Sequence, residues 1–169
     1  MSNVKLKKVV LCALYSAFAL ISFYIESLFP PLIIPGAKMG ISNVFILLSV
    51  LTLGPAYGYF CLLIKVCLGS VFVGNISAIM YSLPAGAIAL TVEILIFYIA
   101  KRVSIISTSV AGAVISITVQ NIVFCLIAGT MAYLSYLPYL ALIGVLGGAV
   151  TGLAVYLAIK RLPRLINTN

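Results

Sequence analysis

The chain has no histidine and no tryptophan, and its only acidic residues are Glu26 and Glu93, so it contains no aspartate. Each absence removes a class of chemistry. Without histidine there is no imidazole general base and no Ser–His or Cys–His pair. A metal site would have to rest on Cys12, Cys61, Cys67, Cys125, Glu26 and Glu93. Cys61 and Cys67 lie six apart in one apolar run, not at a CxxC spacing, and the cysteines read as small buried hydrophobes. No GxxxxGK[ST] stretch is present, so the chain binds no ATP through a P-loop. Charge is scarce altogether, at 7% of residues against 64% hydrophobic. That is the composition of an integral membrane protein. No catalytic group, metal or cofactor is expected.

The positive balance of +8 is not arranged as a stripe. Basic residues flank apolar segments, as loop charges of a membrane protein do, so nucleic acid is not an expected partner. Six spans can be placed, at about 9–29, 41–53, 56–73, 78–100, 104–128 and 137–159. The first follows Lys5, Lys7 and Lys8, which resembles the start of a signal peptide. Its apolar run of about 20 residues lacks a clear cleavage site and reads as a retained transmembrane helix. Pro30-Pro31 ends it, Gly54-Pro55 makes a tight turn after the second span, and Pro84 is expected to kink the fourth. The second span, roughly 13 residues, is short for ~30 Å of hydrocarbon. No linker or repeat divides residues 1–169, so the expected architecture is one all-α bundle of six transmembrane helices.

Eight of the ten basic residues fall on one side if both termini are cytoplasmic: Lys5, Lys7, Lys8, Lys101, Arg102, Lys160, Arg161 and Arg164. The positive-inside rule then predicts a multi-pass cell-membrane protein with both termini inside. Small residues on one helix face mark close helix contacts: Gly144, Gly148 and Gly152, four apart in the sixth span, Gly86 and Ala89 on one stripe with Glu93 in the fourth, and Ala13 and Ala17, four apart in the first.

The remaining charges carry the functional question. Lys65 and Glu93 each lie roughly 12–14 Å from the cytoplasmic edge, at ~1.5 Å per residue, in neighbouring antiparallel spans. Each costs ~2.5–3.5 kcal/mol inside hydrocarbon. They are expected to pair, either as a self-neutralising structural ion pair or as a coupling or substrate element. The outer half is richer in polar groups: Glu26, Lys38, Ser42, Asn43, Asn75, Ser77, Tyr81, Gln120, Asn121 and the tyrosines at 133, 136 and 139. Some tyrosines fit an interfacial belt. Adjacent amides at 120 and 121 need partners or water, and the group could line a cavity open to the outside. In "PPLIIPGAKMGISNV" (30–44), Lys38 stands beside a helix start near Ile41, with Ser42 and Asn43 as donors. That setting fits an anion site. A lysine snorkelling to outer headgroups fits equally well.

The segments "PGAKMGISNVFIL", "VFVGNISAIMYSLPAGAIA", "VQNIVFCLIAG" and "YLPYLALIGVLGGAVTGLAVYLAIKRL" resemble the family of heptaprenyl diphosphate synthase component I, also called Gx transporter proteins, over nearly the whole chain. That family is similar to the substrate-binding S components of energy-coupling factor (ECF) transporters, which are six-helix bundles. The resemblance implies that Gly36, Lys38 and Gly40 belong to a lid loop over an outward-facing pocket. It also implies a binding role for Asn43, Asn75, Tyr81 and Asn121, with Gly74 and Ser82 in the second motif. Lys38, Asn43, Asn75, Tyr81, Gln120 and Asn121 are thus the expected substrate-binding set. Ala13 and Ala17 match a pattern that docks a coupling subunit. Two positions depart from the family pattern. Lys65 stands where arginine is expected, so bidentate anion recognition is not expected there. Gln120 stands where histidine is expected, and an amide does not titrate.

The resulting expectation is a membrane subunit that captures a small vitamin-like or isoprenoid/quinone-related molecule, with an anionic ligand as one option. Its partners would be membrane lipids, an ECF-type coupling subunit and ATPases. Two alternatives stand beside it: a non-catalytic membrane accessory subunit (component I) of a heptaprenyl diphosphate synthase, and a structural membrane scaffold. Prenyl diphosphate synthesis usually holds magnesium on aspartate-rich motifs, which this chain lacks.

Overall fold

The structure, a computed structural model, describes residues 3–28, 40–100 and 103–161. Among them the regular structure is entirely helical: α1 (Asn3–Leu28), α2 (Asn43–Leu53), α3 (Pro55–Phe72), α4 (Ala78–Ile99), α5 (Ile105–Ala128) and α6 (Leu137–Arg161), with a 3₁₀ turn at Ala132–Tyr136 before α6. Five of these helices are long and apolar enough to cross a membrane. The chain is a multi-pass helical membrane protein.

α2 is the exception, and its role is different from the one its sequence suggests. Its 11 residues would rise about 16 Å, half the hydrocarbon thickness. Eight of them are buried, because α1, α3 and α6 all pack on it. A helix apolar on every side is stable when protein surrounds it, so α2 forms the centre of the core with Leu47, Cys61, Leu62, Val66, Leu90 and Val155. It does not have to reach across lipid. Gly54 then turns the chain at φ +112°, a left-handed conformation that favours glycine, and Pro55 opens α3.

α1 begins at Asn3, several residues earlier than the apolar run suggests, since Lys5, Lys7 and Lys8 continue the helix. Pro84 sits within a continuous α4. The glycine stripe of α6 lies against α5. A Cβ at Gly148 would stand 2.7 Å from Val110 Cα, and one at Gly152 2.6 Å from Ile106 Cα. The backbones approach as closely as the spacing in the sequence implies. Packing order around the bundle runs α1, α3, α4, α5, α6 and back through α2.

Candidate functional site: a polar cavity inside the bundle

A cavity of about 80 Å³ lies among all six helices. Its polar lining comprises Glu26 from α1, Ser42 and Asn43 at the start of α2, Lys65 from α3, Ser82 from α4, and Ser116 with Gln120 from α5. Gly144 and Gly147 of α6 close one side without side chains, and Phe23, Leu62 and Ile117 contribute apolar wall.

Lys65 is its most buried charge, 7% exposed. Its Nζ donates to Asn43 Oδ1 at 2.6 Å and stands 5.7 Å from the centre of the Phe23 ring, a distance at which the ring face attracts a cation. Glu26 approaches the start of α2 from the other side. The Ile41 N–H donates to its carboxylate, and Ser42 Oγ donates to Oε2 at 3.5 Å. An anion belongs at a helix N-terminus, where amide N–H groups lack intrahelical acceptors. Here the protein supplies that anion itself. Glu26, half-buried and 15 residues from Ile41 in sequence, thus sits at the start of α2, and Lys38, on which the expected anion site rests, lies outside the described residues. Gly40, at φ +77°, brings its carbonyl to α6, where Thr151 Oγ1 donates to it at 3.2 Å.

The expected pairing of Lys65 with Glu93 gives way to a different arrangement. Lys65 is directed to α2 and α1, whereas the Glu93 carboxylate packs on α5 so tightly that a Cβ on Gly112 would collide with it. Helical position explains this. Both charges lie at similar depths, but depth does not fix azimuth, and α4 packs against α5 as well as α3. Gly112→Ala should destabilise the bundle by about 1–3 kcal/mol through overpacking. Adding Glu93→Ala should recover most of that loss in a detergent unfolding titration. Additive losses would contradict the contact.

Of the expected binding residues, Asn43 and Gln120 line the cavity. Gln120 Nε2 donates to Ser82 Oγ at 3.3 Å. Asn121 turns away, because consecutive helical residues point about 100° apart. It donates to the Tyr133 carbonyl at 3.4 Å and accepts from Cys125 Sγ. Tyr81 makes an edge contact with Phe124, centroids 5.7 Å apart, and Phe124 does the same with Tyr133. Asn75 caps α4, its Oδ1 accepting from Ser77 Oγ at 2.7 Å and from the Ala78 N–H at 3.3 Å. Asn75→Ala should therefore cost about 1 kcal/mol of stability, read as a lower midpoint of thermal unfolding. Gly36 and Lys38 lie outside the described residues, so of the lid loop only Gly40 is placed. Ala13 and Ala17 are both on the exposed side of α1.

Ser116 and the tie from Glu26 to α2 were not expected from the sequence. Ser116 had a signal: it lies four residues before Gln120 and so shares its face. Glu26 had only its rarity, since nothing local shows a carboxylate reaching across a loop.

Fold and site together define a small helical membrane protein that encloses a charged, hydrogen-bonding cavity. A family model described as heptaprenyl diphosphate synthase component I matches residues 15–157, and the chain belongs to that family. No curated protein and no solved structure matches it.

Proposed function

We propose that the chain is a non-catalytic membrane subunit that works with a separate prenyl diphosphate synthase component. The observation carrying this reading is the family match over residues 15–157, set beside a sequence with no aspartate for magnesium binding. In this reading the protein supplies the membrane platform on which a soluble partner makes or releases a long apolar product. α2 counts as a sixth, incomplete crossing, and both termini are cytoplasmic, where the basic residues would meet the partner. The exposed α1 face around Ala13 and Ala17 is the docking surface.

Reconstitution tests this. The chain in phospholipid vesicles should show no synthase activity alone, and it should raise the turnover or product release of an added soluble synthase component. Leucine at both Ala13 and Ala17 should reduce that effect while leaving the unfolding midpoint unchanged. An unaltered synthase rate on addition of the wild-type chain would sink the reading.

A second reading, capture of a small molecule for an ATPase-driven uptake system, is favoured by one observation. A cavity with a buried lysine at its wall is costly for a pure scaffold. Here Asn43, Gln120, Lys65 and the lid residues Gly36, Lys38 and Gly40 would hold the substrate, with Asn75, Tyr81 and Asn121 shaping the outer rim. Copurification with an ATPase pair, lost on the same α1 substitutions, would select this reading over the first.

A further inference from the structure

Among the described residues the cavity is lined by one cation and one carboxylate, and each has its own anchor: Lys65 on Asn43, Glu26 on the start of α2. We infer that the cavity takes a compact zwitterion, with a cationic group beside Glu26 and an anionic group beside Lys65, rather than a multiply charged anion. This goes beyond the partner assignment.

Three observations lead there. First, charge: among the described residues a diphosphate would meet a single lysine and also the Glu26 carboxylate, and a like charge in a partly buried site weakens binding. A ligand carrying both signs meets a complementary charge at each end. Second, size: at ~10–15 Å³ per water-sized position, the cavity of about 80 Å³ has room for roughly five to eight such positions. That suits the polar end of an amino acid or a phosphoethanolamine group, whereas an isoprenoid chain would have to stay outside. Third, neutral hydrogen-bonding groups surround the charges. Gln120 and Ser116 offer donors and acceptors on one face of α5.

A compact zwitterion has two natural sources, a free solute or a zwitterionic phospholipid headgroup, and the experiment separates them. Thermal unfolding of the purified full chain in lipid-free detergent is measured with L-alanine, phosphoethanolamine, acetate, ethylamine and inorganic pyrophosphate. In parallel it is measured in nanodiscs of dioleoylphosphatidylethanolamine or dioleoylphosphatidylglycerol. The inference expects alanine or phosphoethanolamine to raise the midpoint more than acetate, ethylamine or pyrophosphate does. A shift with alanine assigns a free solute. A shift only with phosphoethanolamine, together with a higher midpoint in the phosphatidylethanolamine discs, assigns a headgroup. Lys65→Gln and Glu26→Gln should each weaken the responsive probe about tenfold or more, and Glu26→Gln should gain response to pyrophosphate. If Glu26→Gln fails to fold, the wild-type charge series still decides. Pyrophosphate or acetate giving the largest shift overturns the inference, as does no response to any probe or disc. Neither failure touches the synthase reading, whose readout is the partner's rate.

Discussion

Replacing Gly148 with valine is expected to force α5 and α6 apart and to lower the stability of the bundle by about 2–3 kcal/mol. The site has no slack. A single added Cβ would already stand 2.7 Å from Val110 Cα, 2.9 Å from Ala113 Cβ and 2.9 Å from the Ser109 carbonyl oxygen. Two of these neighbours are backbone atoms and cannot swing aside as a side-chain tip would. Inside a membrane, helices gain little by hiding apolar surface from one another, so close backbone packing carries much of the association. Val150, two residues on and 61% exposed, is the control. Val150→Leu adds a methylene toward lipid and should leave the unfolding midpoint in a detergent titration within error. A Gly148→Val protein as stable as the wild type would show that α5 and α6 are not seated on this glycine.

The second large effect is expected at Asn43. Asn43→Leu removes the acceptor held 2.6 Å from Lys65 Nζ and leaves a buried ammonium to be served by fewer groups. A hydrogen bond to a charge is worth about 1.5–3 kcal/mol, and its loss at a lysine only 7% exposed should fall within that range. Asn43→Asp makes the opposite prediction, because it keeps the acceptor and adds the complementary charge. That protein should match or exceed the wild type at neutral pH. A Lys65→Met background separates the two contributions. With the ammonium gone, Asn43→Leu should cost less than it does beside Lys65, and the difference measures the pair. Equal costs in both backgrounds would mean that Asn43 acts on α2 alone.

The helices were legible in the sequence because their ends carry punctuation. Gly54-Pro55 separates α2 from α3 where expected, and α4 to α6 start within a residue or two of the apolar runs. The α6 glycines were legible too, since only a close neighbour gives reason for three glycines at four-residue spacing. Azimuth was not legible. A soluble helix shows its inner face as an apolar stripe, but these helices are apolar toward lipid and toward protein alike. Nothing in the sequence therefore says that Lys65 faces α2, that Glu93 faces α5, or that Gln120 and Asn121 part company. The half-length α2 reads as a short span for the same reason, because an interior helix and a lipid-facing one carry the same composition. The family resemblance identified the heptaprenyl diphosphate synthase component I family, whose model matches residues 15–157. The Glu26 tie rests on a contact across a loop that no periodicity records.

The synthase-subunit reading turns on what this chain binds in its own membrane. Native mass spectrometry of the protein extracted with its partners in mild detergent reads that directly. A stoichiometric complex with a soluble, aspartate-rich prenyl diphosphate synthase polypeptide is the predicted result. A complex with a pair of ATPases and a membrane coupling subunit would contradict it and establish the chain as a substrate-capture component instead.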